Sequence, residues 1–110
     1  MPITPGIIKT VEWLNANGFI TSDSGDGVTN VEAGMEGALD YPNVAIPVQP
    51  TGLVYLASAL LILLKRVGVE VLPASEDTSI PCISASYDPA DNSAIVMLYG
   101  VDDKMLEGKI

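Results

Sequence analysis

A chain of 110 residues with 48% apolar but only 5% aromatic side chains makes a single domain, residues 1–110, around an aliphatic core. Fourteen acids against five bases (Lys9, Lys65, Arg66, Lys104 and Lys109) leave a formal charge of −9, which argues against tracking a nucleic-acid backbone or docking on an anionic membrane. With no histidine there is no Ser-His-Asp or Cys-His chemistry and no imidazole zinc site, and the single Cys82 has no partner for an internal disulfide. Residues 1–5 lack the charged and apolar regions of a signal peptide. The longest apolar run, Leu53–Leu64, is far shorter than the roughly 20 residues a bilayer requires, so a soluble cytosolic protein is expected.

The first helix has both ends marked. Thr4 is placed to cap it, Pro5 suits its first turn, and Gly18 after Asn17 stops it. Ile7, Ile8, Val11 and Leu14 share one stripe, with Lys9, Glu12 and Ala16 opposite. Trp13 falls toward the Lys9 flank, where a lone tryptophan packs on a loop or a partner subunit, or offers a stacking platform to a ligand ring. Gly18–Gly27 then reads as a polar loop in which Gly25 and Gly27 permit positive φ, and Thr21, Ser22, Asp23, Ser24 and Asp26 crowd side-chain oxygens together. Such a loop is either a solvated Asx-type turn or a binding loop. Its spacing fails the EF-hand pattern. Residues 31–40 place Glu32, Glu36 and Asp40 on one helical face, where like charges repel, so an irregular loop with one helical turn is predicted.

Val44–Val48 alternates as a strand, with Pro47 confining it to an edge or to the strand's end. A second helix runs from Thr51 to Arg66 and stops at Gly68, with Lys65 and Arg66 at the end its dipole favours. It is apolar nearly all round, its least greasy face carrying Thr51, Tyr55, Ser58, Ala59, Ile62 and Arg66. A homo-oligomer through Leu53–Leu64 is therefore expected to cover its second side. Val69–Leu72 reads as a short strand and Pro73–Pro81 as a polar loop with Glu76 and Asp77. Cys82–Tyr87 and Ala94–Tyr99 read as a hairpin whose second strand, apolar on both faces, is central. Asp102 caps a last helix, 103–107, stopped by Gly108. The sum is an α+β domain, two main helices on a mostly antiparallel sheet of three to five short strands.

No spacing selects a pair of aspartates for acid–base work. Cys82, without an activating partner, reads as structural. The Gly25–Gly27 loop can turn N–H groups toward a phosphate, but it lacks the lysine of a Walker loop and is not G-x-G-x-x-G. The expected ligand-binding set is Trp13, Thr21, Asp23, Ser24, Gly25, Asp26 and Gly27, joined by Tyr55 and Arg66, with no catalytic residue, metal or cofactor.

Gly18–Gly27, the run Ala38-Leu39-Asp40-Tyr41-Pro42-Asn43-Val44-Ala45-Ile46 and Ala85-Ser86-Tyr87-Asp88-Pro89 together resemble short accessory proteins of tailed bacteriophages. The resemblance implies a phage protein acting in the cytoplasm of an infected bacterium, and such proteins often antagonise host defence. One group, the sponges, forms oligomers that sequester nucleotide immune signals without cleaving them. The expectation is therefore a sponge for a cyclic nucleotide or an ADP-ribose derivative. The alternatives are an acidic, anti-CRISPR-like inhibitor of a host defence enzyme, a metal-dependent hydrolase using Asp23, Asp26, Glu32 and Glu36, or a structural accessory.

Overall fold

Pro5 and Gly18 bound the first helix as the sequence predicts. In the computed structural model, which describes residues 3–73 and 81–110, a 3-10 turn over Pro5–Ile7 runs into α1 (Ile8–Ala16). Gly18, at φ +88°, turns the chain out of that helix. Ile7, Val11 and Leu14 are buried, but Ile8 stays exposed and Thr10 takes a fully buried place. Thr4 does not cap its own helix. Its hydroxyl accepts the Asp26 N–H at 2.9 Å, tying the chain start to a distant turn.

The chain continues through β1 (Asp23–Gly25), α2 (Thr29–Glu32) and β2 (Asn43–Val48). A 3-10 turn at Pro50–Gly52 leads into α3 (Leu53–Arg66), followed by β3 (Leu72–Pro73), β4 (Cys82–Asp88), β5 (Ser93–Tyr99) and α4 (Asp103–Leu106). The strands form one five-stranded sheet in the order β1-β2-β5-β4-β3, antiparallel except where β3 runs parallel to β4. This is the predicted α+β architecture, with β5 central and paired along its length on both sides. Val96 and Leu98 share a face with Ile46, Val44 and Ile83. On that face they join Ile7, Val11 and Leu14 from the first helical segment, Leu60 and Leu64 from α3, and Leu106 from α4. Apolar area removed from water there is the main stabilising term.

Local readings change at β1, at Gly25 and at β3, while Pro47 keeps one of its two expected places. Asp23–Gly25 is not loop but an edge strand, aligned with Asn43–Ala45. Only Gly27 of the two glycines has positive φ, at +82°. β2 is an interior strand, yet β1 covers it only as far as Ala45, so Pro47 lies near the strand's end beyond that cover. The strand expected at Val69–Leu72 shrinks to Leu72–Pro73, and most of the Pro73–Pro81 loop, with Glu76 and Asp77, lies outside the described residues. Asp102 caps α4 as predicted, accepting the Met105 N–H at 3.0 Å. Cys82 is buried.

α3 is one-sided within the chain. Leu60 and Leu64 are buried, Leu53, Leu56 and Leu63 pack half-buried on the core, and Val54 (78% exposed), Tyr55 (80%) and Ile62 (55%) face outward. No described helix is long and apolar enough to cross a membrane.

Candidate functional site

The polar turn after β1 is organised by Asp26. Its Oδ1 accepts the N–H groups of Val28 (2.9 Å) and Thr29 (2.8 Å), which lie at the start of α2. Its Oδ2 accepts the Thr29 hydroxyl (2.6 Å) and, across twenty positions of sequence, the Gly6 N–H (3.2 Å). One carboxylate thus holds two helix starts together. Partial burial pushes the Asp26 carboxyl up. The bonds from Thr29, Val28 and Gly6 outweigh that effect and hold it at about 2, against an ordinary value of 3.8. Two glycines make room for the arrangement. A Cβ on Gly6 would stand 3.0 Å from the Asp26 Cβ, and one on Gly27 would stand 2.6 Å from the Tyr41 carbonyl carbon. The second approach admits no side chain.

Asn15, near the end of α1, fixes the strand's approach. Its amide oxygen accepts the Thr21 N–H (3.1 Å), and its amide nitrogen donates to the Val11 carbonyl (2.8 Å) and the Thr21 hydroxyl (3.3 Å). Between α1 and this stretch opens a cleft of about 490 Å³. Ile3, Val11 and Met35 give it apolar walls; Asn15, Asn30, Thr21, Ser22, Asp23 and Ser24 give it a polar rim. A second hollow of about 250 Å³ lies toward β2 and β5. It shares Asp23, Ser24, Asn30 and Met35 with the cleft and adds, among others, Gly25, Gly27, Glu36, Asn43 and Met97. Neither lining contains a lysine or an arginine. The polar groups are hydroxyls, amides and carboxylates, suited to hydroxyl and base-edge hydrogen bonds rather than charge neutralisation. Nearby, Tyr41 and Tyr99 stack edge to face with centroids 5.5 Å apart. Burial, with Tyr41 and Cys82 beside it, pushes the Tyr99 hydroxyl up.

Of the residues singled out in the sequence, Thr21, Asp23 and Ser24 line the cleft, and Gly25 and Gly27 line the second hollow. Asp26 is committed to four donors of its own chain. Trp13 packs half-buried against the core and lines neither hollow. Tyr55 and Arg66 are exposed on α3 and line neither. Among the described residues no three carboxylate, thiol or imidazole groups converge as metal ligands, so Asp23, Asp26, Glu32 and Glu36 do not form a metal-binding set. Sequence reasoning missed Ile3, Asn15, Asn30 and Met35, and it gave Val11 only a place on the core stripe. Of these only Asn15 carried a signal, a poor helix former beside an apolar stripe.

A further hollow of about 510 Å³ lies elsewhere, between Leu61, Ile62 and Lys65 of α3 and the segment Gly68–Val71. No protein-family model matches this chain, and no curated protein or solved structure is significantly similar to it.

Proposed function

We propose that the protein works by stoichiometric binding, sequestering a nucleotide-derived molecule by its nucleoside end in the cleft beside β1 and leaving it intact. The observation that carries this reading is the lining itself, three aliphatic side chains facing a rim of hydroxyls, amides and the Asp23 carboxylate. Ile3, Val11 and Met35 can hold a flat ring. Asp23 Oδ1 already accepts the Ser24 N–H (2.9 Å), leaving Oδ2 to accept from a ribose diol. With no cation in the lining, phosphates would point to solvent, so recognition rests on base and sugar. In the phage setting implied by the sequence resemblance, the ligand is a host immune signal such as a cyclic nucleotide or an ADP-ribose derivative.

The test is a thermal-shift panel of cyclic dinucleotides, cyclic trinucleotides, ADP-ribose derivatives and the parent nucleosides. A ligand at 100 times its Kd adds about 2.7 kcal/mol of stability. The expected result is a selective rise, with a nucleoside giving nearly the same shift as its phosphorylated form, the ligand recovered unchanged, and the shift lost in Asp23→Ala. A flat panel, or a shift that survives Asp23→Ala, would overturn the reading. An inhibitor of a host enzyme is the second reading, favoured by the exposed apolar side of α3.

A further inference from the structure

We infer that copies of this chain associate head to tail, the outer face of α3 in one copy seating the exposed segment 28–40 of the next. The inference is independent of the ligand reading, and its test contains no ligand.

Two surfaces on the same molecule complement each other. α3 contains no carboxylate and turns Val54, Tyr55 and Ile62 outward. The face continues into the 510 Å³ groove beside Leu61 and Ile62, which Lys65 and a single carboxylate, Glu70, also line, and it ends in Lys65 and Arg66, two of the chain's five bases. A third base gathers there, since the Lys109 ammonium lies 3.4 Å from where a Cβ on Gly68 would stand. The opposite character appears at 28–40. Val28, Val31, Met35 and Leu39 are exposed, Glu32 and Glu36 lie between them and Asp40 directly after, and the segment holds no base. One surface is apolar with three bases against the one carboxylate of Glu70, the other is apolar and acidic, and contiguous exposed apolar patches mark interaction sites.

Charge selects among the ways two copies could meet. A chain at −9 repels its copies wherever carboxylates face each other, and the α3 face is a place where they do not. Pairing α3 with α3 antiparallel would set Lys65 and Arg66 against the positive N-terminal end of the partner helix, whereas segment 28–40 offers them carboxylates. The contact is heterologous, so it propagates into a ring or an open array rather than closing as a pair. Segment 28–40 also supplies Asn30 and Met35 to the cleft, so a neighbour seated on it would brace that wall.

Light scattering on the eluted intact protein tests this at several concentrations and salt levels. The expected result is a species larger than the monomer that dissociates as salt rises. Ile62→Asp on one surface and Glu32→Lys/Glu36→Lys on the other should each give a monomer with an unchanged circular dichroism spectrum. Mixing the two variants should restore a one-to-one pair, because each retains one intact surface. A wild-type chain that stays monomeric at every concentration would overturn the inference and leave the α3 face to a foreign protein. A Glu32→Lys/Glu36→Lys variant that still forms a symmetric dimer would overturn it in favour of α3 against α3.

Discussion

The two main helices are held by different physics. At the start of α1, Asp103 on α4 accepts the Thr10 N–H (2.7 Å) and hydroxyl (2.8 Å) and the Lys9 N–H (3.1 Å). Asp26 accepts the Gly6 N–H one turn earlier. Donors that a helix start leaves unpaired are thus satisfied by carboxylates from elsewhere in the chain, while no side chain of the segment's own does so. α3 has no side-chain cap, and among the described residues no carboxylate ties it as Asp103 and Asp26 tie the first helical segment. It is held by Leu60, Leu64 and their half-buried neighbours against the sheet, which leaves its outer side unused by its own chain. A helix fastened by polar clasps is fixed in register, and one fastened by an aliphatic stripe keeps a whole face for other work.

Leu60→Ala should break the α3 side of that contrast most severely. Removing a fully buried leucine costs about 2–5 kcal/mol. Ile62→Ala, two positions along on the exposed side, should stay within about 0.5 kcal/mol in the monomer. Chemical denaturation midpoints under monomeric conditions measure both, and equal losses would mean that α3 is covered on two sides. Asp103→Ala attacks α1 instead. It leaves the buried Thr10 N–H and hydroxyl without their acceptor, for a loss of about 1–3 kcal/mol. Hydrogen exchange should localise that loss to the first turn of α1, with α3 protected as before.

The smallest effect concerns Asp26 and depends on pH. Its folded-state pKa of about 2 lies below the ordinary 3.8, so the unfolded chain takes up the proton first as pH falls. The clasp therefore contributes fully above about pH 4 and is lost as pH drops through about 2. At neutral pH Asp26→Asn should cost on the order of 1 kcal/mol, allowing for solvent screening of a partly exposed group. That deficit should shrink steadily below pH 4. A deficit independent of pH would mean that the carboxylate's charge contributes nothing to the clasp.

What the sequence made legible follows from how far each signal reaches. Thr51–Arg66, the hairpin and the Asp102 cap rest on neighbours within a few positions, and each is found where periodicity and turn residues put it. β1 was hidden because Asp-Ser-Gly has turn composition, and only its alignment with Asn43–Ala45 makes it a strand. Asp26 and Asp103 were opaque for a related reason, since their decisive partners lie 20 and 93 positions away. Trp13 lies off the apolar stripe on the wheel of α1, yet it packs on the core, because what covers a helix flank is set by the fold around it. A third of the cleft lining is visible through Thr21, Asp23 and Ser24; Asn30 and Met35 sit in a segment whose path only the fold brings there.

The Asp103 clasp also sets a clock on synthesis. Thr10 leaves the ribosome 93 residues before the carboxylate that satisfies it. At ordinary elongation rates that is an interval of roughly 5–20 s. During that time the first helix exists without its acceptor and, at nine residues, is too short to be stable alone. The first helix is therefore completed only once α4 is translated, and a chain released before Asp103 carries a helix whose Lys9 and Thr10 donors are bare.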